Sequence, residues 1–328
     1  MGGQVGTEDG MSAMDASELR ELVSRIRDQV HRAIVGMEEA IEALVICLLA
    51  EGHLLLEGPP GLAKTYLVKS FARALNLSFS RIQFTSDLLP SDVTGSIVYD
   101  RSTSQFVFRR GPIFANVVLA DEINRGPPRT QSALLEVMQE RQVTVEGVSY
   151  PLPRPFMVIA TQNPIEFEGT FPLPEAEMDR FLMRVIIGYP RREEEVEVLR
   201  LKQIYGEEPE VTPVADAEKV GSAIRYTSTV HVDDSVMEYI VDIVRRTREL
   251  PEVLIGGSTR AEVALMYAAK AKAAISGYRF VTPDHVKSVA PFVLNHRIVL
   301  RTRRPALDSE TPELSVVRRV LEEVEVPV

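Results

Sequence analysis

Apolar side chains recur every three or four positions at Leu19, Leu22, Val23, Ile26 and Val30, with charges between them, which predicts a helix over 17–32. A second such stretch predicts a helix over 38–51, stopped by Gly52. The period then changes. Short apolar runs at 54–56, 82–84, 117–120, 156–160 and 184–187 read as buried strands, and helical patterns separate most of them. That alternation predicts an α/β fold, a parallel sheet with helices on both faces. Two segments break the rhythm: 95–99 with 105–108, and 142–145 with 148–152 joined through Glu146-Gly147, alternate like β-hairpins inserted into the core. Beyond Pro190 the strand signal fades, and helices are predicted over 193–205, 215–228, 233–249, 259–276 and 283–294. The expected organisation is a flexible tail over 1–16, an α/β domain over 17–190 and a mainly helical domain over 191–328.

Composition narrows the function classes. With 45% apolar and 26% charged residues, the 328-residue chain has the profile of a globular protein able to bury a core. A net charge of −10 argues against a general nucleic-acid-binding surface and leaves open only a local basic groove. Cys47 is the only cysteine, so no intrachain disulfide forms, and its apolar surroundings read as a buried thiol in a reducing compartment. No run of about 18 apolar residues offers a membrane span. Residues 1–16 lack the charged and apolar regions of a signal peptide. The expectation is a cytoplasmic protein.

The chemistry-bearing residues follow the predicted strands. After 54–56 comes Gly58-Pro59-Pro60-Gly61-Leu62-Ala63-Lys64-Thr65, and a helix opens at Lys64-Thr65-Tyr66. Strand, Gly-rich loop and helix is the context of a phosphate loop, in which backbone N–H groups and the helix N-terminus face phosphate oxygens. The nucleotide-contacting set is thus Gly58, Pro59, Pro60, Gly61, Leu62, Ala63, Lys64, Thr65 and Tyr66. Lys64 is assigned to the β- and γ-phosphates and Thr65 to Mg²⁺. Ala63 stands where such loops at large carry Gly. Either Ala63 adopts positive φ, at a cost of about 1–2 kcal/mol, or it stays in an ordinary region while Gly61 takes the unusual dihedral.

The run 117–120 ends in Asp121-Glu122. Carboxylates at a buried strand end are costly without partners, so Asp121 is assigned to Mg²⁺ and Glu122 to the attacking water. The run 156–160 ends in Thr161-Gln162-Asn163-Pro164, which places Asn163 at the same sheet end, facing the water or the γ-phosphate. The five histidines show no metal-ligand spacing, and no nucleophile-base constellation stands out.

These motifs, with Q-S-A-L-L-E-V-M-Q-E-R-Q-V-T-V, L-P-E-A-E-M-D-R-F and G-G-S-T-R-A, resemble the MoxR family of AAA+ ATPases in the family's order, from about Ser17 onward. The resemblance implies a P-loop AAA+ core with a parallel sheet and inserted β-hairpins, followed by a helical lid domain. Ala63 fits that family's own loop. Ile34-Val35-Gly36 resembles the adenine-side box, which assigns Val35 and Gly36 to the nucleotide, while Met37 departs from the family's Gln. Arg180 matches the arginine finger that reaches a neighbouring subunit's γ-phosphate, and Arg260 matches the second sensor. The resemblance further implies an ATP- and Mg²⁺-dependent homo-oligomeric ring, a hexamer, that matures client proteins in a chaperone-like role. Partners carrying a von Willebrand factor A domain and metal-cofactor insertion into clients come with it. The hairpins match inserts that point at a client, with Phe106, Phe108, Arg109 and Arg110 as contacts or, equally, as packing within the domain. A DNA-translocating motor of the related AAA+ branch is the alternative.

Overall fold

A computed structural model describes residues 14–163, 169–206, 209–301 and 311–327. Residues 1–13 of the expected tail, and Pro164 of the polar motif, lie outside the described residues. The first helix, α1 (Ala16–His31), starts where Asp15 caps it: its carboxylate accepts from Ser17 N and Glu18 N, and Glu18 reaches back to Asp15 N. Its periodic residues Leu19, Leu22, Val23, Ile26 and Val30 are all buried. In α2 (Glu38–Leu49) the helix ends before the expected stop, because Glu51 itself enters the left-handed region at φ 51°.

Five parallel strands form the central sheet: β1 (Leu54–Glu57), β2 (Phe79–Gln83), β5 (Val117–Asp121), β8 (Met157–Gln162) and β9 (Met183–Ile186), in the order β2-β5-β8-β1-β9. Their side chains alternate between two cores. Leu54, Leu56, Val117, Leu119, Met157 and Ile159 join residues of α1, α2 and α3 (Lys64–Ala74), whereas Leu55, Val118, Ala120, Val158 and Ala160 join Leu134, Leu135 and Met138 of α5 (Pro128–Glu140). In β1, β5 and β8, burial on both faces explains the continuous apolar runs. Because β1 lies between β8 and β9 while the chain next crosses to β2 at the far edge, a crevice opens at the strands' C-terminal ends.

The inserted hairpins are β3 (Gly95–Asp100) with β4 (Gln105–Arg110), and β6 (Gln142–Val145) with β7 (Val148–Pro151). In the second, Glu146 and Gly147 take φ 49° and 80°, the positive values a tight hairpin turn requires. Phe108 stacks on Tyr150 with ring centroids 4.3 Å apart and meets Phe114 edge-on, so the hairpins pack together. Phe106, by contrast, is 76% exposed, touching Tyr99 across the strands.

The helical half holds α7 (Arg192–Tyr205), α8 (Ala217–Ser228), α9 (Asp234–Glu249), α10 (Thr259–Ile275), α11 (Pro283–Leu294) and α12 (Pro312–Glu323). The sequence reading missed α12 and the small pair β10 (Val253–Ile255) with β11 (Val299–Leu300). It also missed α4 (Pro90–Thr94) and α6 (Glu175–Met178), which are too short to show a period.

Candidate functional site

The phosphate loop joins β1 to α3, and its backbone settles the question Ala63 raised. Ala63 adopts φ 54° and ψ 21° as the residue capping α3, and Gly61 also lies at positive φ, 82°. The first alternative therefore holds, with Gly61 left-handed as well, and the alanine carries a strain of about 1–2 kcal/mol. Lys64 folds over its own loop, its Nζ donating to Gly58 O (2.5 Å) and Pro59 O (2.8 Å). Partial burial lowers the lysine pKa, and the carboxylates of Asp121, Glu122 and Glu57 oppose that shift.

A crevice of about 350 Å³ lies against this loop, lined by Pro60–Thr65, Asp121, Glu122, Thr161, Gln162 and Asn163. The ends of β1, β5 and β8 thus bring together the residues expected at phosphate, metal and water. Asp121 is buried; its Oδ1 accepts from the Thr161 hydroxyl at 2.5 Å, and its Oδ2 accepts from the Thr65 hydroxyl at 3.2 Å and from Arg81 Nε at 2.9 Å. Adjacent ligands of an octahedral Mg²⁺ stand roughly 2.9 Å apart at its short bond lengths. The Thr65–Asp121 oxygen pair fits that ion in spacing and in hardness.

Glu122 sits in the left-handed region at φ 54° and ψ 50°, an uncommon conformation for a residue with a side chain. Its N–H donates to Thr161 Oγ1 at 2.8 Å. Its Oε2 accepts from Gln83 Nε2 at 2.8 Å and from Arg125 Nη1 at 3.1 Å. Asn163 is buried, and its carbonyl accepts from Asn124 Nδ2 at 3.2 Å.

Sequence reasoning missed Arg81, Gln83 and the role of Thr161. The first two lie on either side of Ile82 on β2, paired with the strand carrying the acids. The available signal was that alternation of polar residues around the buried Ile82 of an edge strand.

A separate, mostly apolar cavity of about 450 Å³ shares Gly61, Leu62 and Ala63 with this crevice. Val35 and Tyr66 line it with Ile34, Met37, Pro190, Val198 and Leu199. Gly36 does not. At φ 69° it faces Glu194, whose Oε1 would lie 2.9 Å from a β-carbon there, so its part is to let the first turn of α7 approach. Met37, the departure from the family's Gln, lines the cavity with its backbone left-handed at φ 60°.

Arg180 and Arg260 line neither cavity. Arg180 follows Asp179, and its guanidinium has no hydrogen-bond or ion-pair partner among the described residues. Arg260, 66% exposed, points Nη1 at Asp179 Oδ2 from 3.8 Å. The other carboxylate oxygen of Asp179 accepts from Arg297 Nε at 2.7 Å. Arg260 thus approaches the carboxylate of Asp179, the chain neighbour of Arg180, and neither arginine lines this chain's own crevice.

The buried histidines and cysteine are structural. His53 bridges Met138 O and the N–H of Val158, and burial pushes its pKa down to about 4. Burial pushes the Cys47 thiol up. Among the described residues no cluster of three His, Cys, Asp or Glu side chains is placed to hold a metal, and no helix is long and apolar enough to cross a membrane.

Residues 53–183 match the family model for ATPases associated with various cellular activities, and residues 245–318 match the AAA lid domain. YeaC of Bacillus subtilis, an uncharacterized protein, is 44% identical over 95% of this chain and 97% of its own. The chaperone MoxR1 of Mycobacterium tuberculosis is 43% identical over 91% of this chain and 81% of its own. MoxR of Methylorubrum extorquens is 29% identical over 95% of this chain and 97% of its own. A crystal structure of an ATPase candidate from Cytophaga hutchinsonii superposes with a TM-score of 0.86 at 39% identity, covering 95% of this chain and 97% of that one.

Proposed function

The chain belongs to the MoxR family of AAA+ ATPases, and on that premise we propose that it hydrolyses ATP with Mg²⁺ and uses the cycle in a chaperone-like remodelling of client proteins. One observation carries the reading. Thr65 and Asp121 stand 3.2 Å apart beside a lysine-bearing phosphate loop, with Glu122 next in the chain.

The roles follow from position. Loop N–H groups and the N-terminus of α3 face the phosphates, and Lys64 exchanges its two loop carbonyls for β- and γ-oxygens. Thr65 and Asp121 would hold Mg²⁺, which would neutralise charge on the phosphate oxygens. Glu122 orients the attacking water once it leaves Gln83 and Arg125, and Asn163 holds the water or the γ-phosphate from the other side. Val35, Met37 and Tyr66 pack the base in the apolar cavity. Arg180 and Arg260 lie outside that crevice, which supports a role at a neighbouring chain's nucleotide and hence a ring, in our reading a hexamer.

Client contact falls to the exposed Phe106 rather than to Phe108, which is committed to Tyr150. Proteins with a von Willebrand factor A domain, and clients awaiting a metal cofactor, are the partners to test first. The relatives' names favour this reading over a DNA-translocating motor. Glu122→Gln should lower turnover by about 10²–10⁴-fold while ATP still binds. Steady-state phosphate release beside equilibrium nucleotide binding checks this, and unchanged turnover would remove Glu122 from its role.

A further inference from the structure

Arg297 is a buried guanidinium that the proposed ATP chemistry does not use. All of its donors are engaged. Nε gives to Asp179 Oδ1 (2.7 Å), Nη1 to Leu182 O (3.0 Å) and Val293 O (2.5 Å), and Nη2 to Asp179 O (3.1 Å) and Phe181 O (2.7 Å). Four of the five bonds grip residues 179–182, the segment that carries Arg180. The fifth holds Val293 in the last turn of α11. The neighbouring His296 adds a contact from Nε2 to Phe181 O at 2.9 Å, and Phe181 itself is wholly buried.

Burying a guanidinium costs several kcal/mol in desolvation, and apolar residues of similar volume often stabilise a core as well. What an apolar residue cannot do is fix five acceptors in one plane, and a lysine cannot either. The clamp is therefore suited to geometry. It leaves the Arg180 side chain without a partner while holding the backbone on both sides of it. Through its second oxygen, Asp179 also faces Arg260 at the start of α10.

We propose that Arg297 and Asp179 are positioning residues for the Arg180 finger, locking its segment to the helical half so that Arg180 and Arg260 are presented together. This rests on the reading that Arg180 serves a neighbouring chain's nucleotide. Neither Arg297 nor Asp179 touches substrate.

Mixed assemblies separate the two ideas. An Arg180→Ala chain keeps its own crevice but offers no finger, and a Glu122→Gln chain offers a finger but cannot turn over. Mixing them should restore phosphate release that neither shows alone. A Glu122→Gln/Asp179→Asn donor should then restore roughly 100-fold less, the effect of a displaced catalytic group, with its own nucleotide Kd and the size of the mixed assemblies unchanged. Should Asp179→Asn melt below the assay temperature, Arg297→Lys, which keeps the buried charge, replaces it with the same expectation. Equal restoration by both donors overturns the proposal. So does a loss accompanied by weaker nucleotide binding or smaller assemblies, which marks a general structural defect. If the plain Glu122→Gln donor restores nothing, the finger's service to a neighbour fails first and the positioning role falls with it.

Discussion

The phosphate crevice and the arginine patch are built by opposite means. Three parallel strands end at the crevice and deliver lysine, threonine, two carboxylates and an asparagine to one space of about 350 Å³. Its acids are already engaged, Asp121 by the hydroxyls of Thr65 and Thr161, and Glu122 by Gln83 and Arg125 from outside the lining. The patch presents two guanidiniums that line neither cavity, one without a partner among the described residues and one 3.8 Å from a carboxylate. A crevice lined by phosphate-binding and water-handling groups, beside one arginine without a partner among the described residues and one that meets Asp179 only at 3.8 Å, suits the two half-sites proposed above. On this account each chain binds its own nucleotide and completes its neighbour's.

That contrast can be broken at either end. The largest expected effect is at the patch, where Arg180→Ala should cut turnover by about 10³-fold and leave nucleotide Kd unchanged, since a finger stabilises charge only at the transferring phosphoryl group. Lys64→Ala should also act on affinity, weakening binding by roughly 100-fold through about 3 kcal/mol of lost charge-assisted contact. Isothermal titration beside phosphate release distinguishes them; equal effects of both variants on Kd would erase the distinction. Smaller, and outside both half-sites, is the hairpin contrast. Phe108→Ser should cost about 2 kcal/mol in denaturant unfolding through its lost ring contacts. Phe106→Ser, 76% exposed, should stay within about 0.5 kcal/mol.

The two regions also differ in how far the sequence revealed them. The crevice was legible because its motifs follow apolar runs: the loop starting at Gly58 follows β1, Asp121 ends β5 and Asn163 follows β8. What escaped notice came from strand pairing: Arg81 and Gln83 reach the acids only because β2 lies beside β5, and no local pattern states that neighbour. Ala63 showed the limit of a single residue, since its left-handed backbone depends on the loop and helix around it. Gly36 was assigned to the nucleotide yet faces Glu194, because a glycine's role depends on what approaches it. At the patch, Arg180 and Arg260 were visible only through family resemblance. Arg297, more than 100 positions away in sequence from the segment it clamps, carried no signal at all. The helix α12 was passed over although Thr311-Pro312 is a fair start signal, because only Val316, Val317 and Val320 mark its buried side.

Turnover per chain, measured across the concentrations over which light scattering reports association, tests the shared site most directly. The account predicts that specific activity rises with assembly and that Arg180→Ala stays flat over the same range. A specific activity that is constant from the dilute monomer to the fully associated state would contradict it.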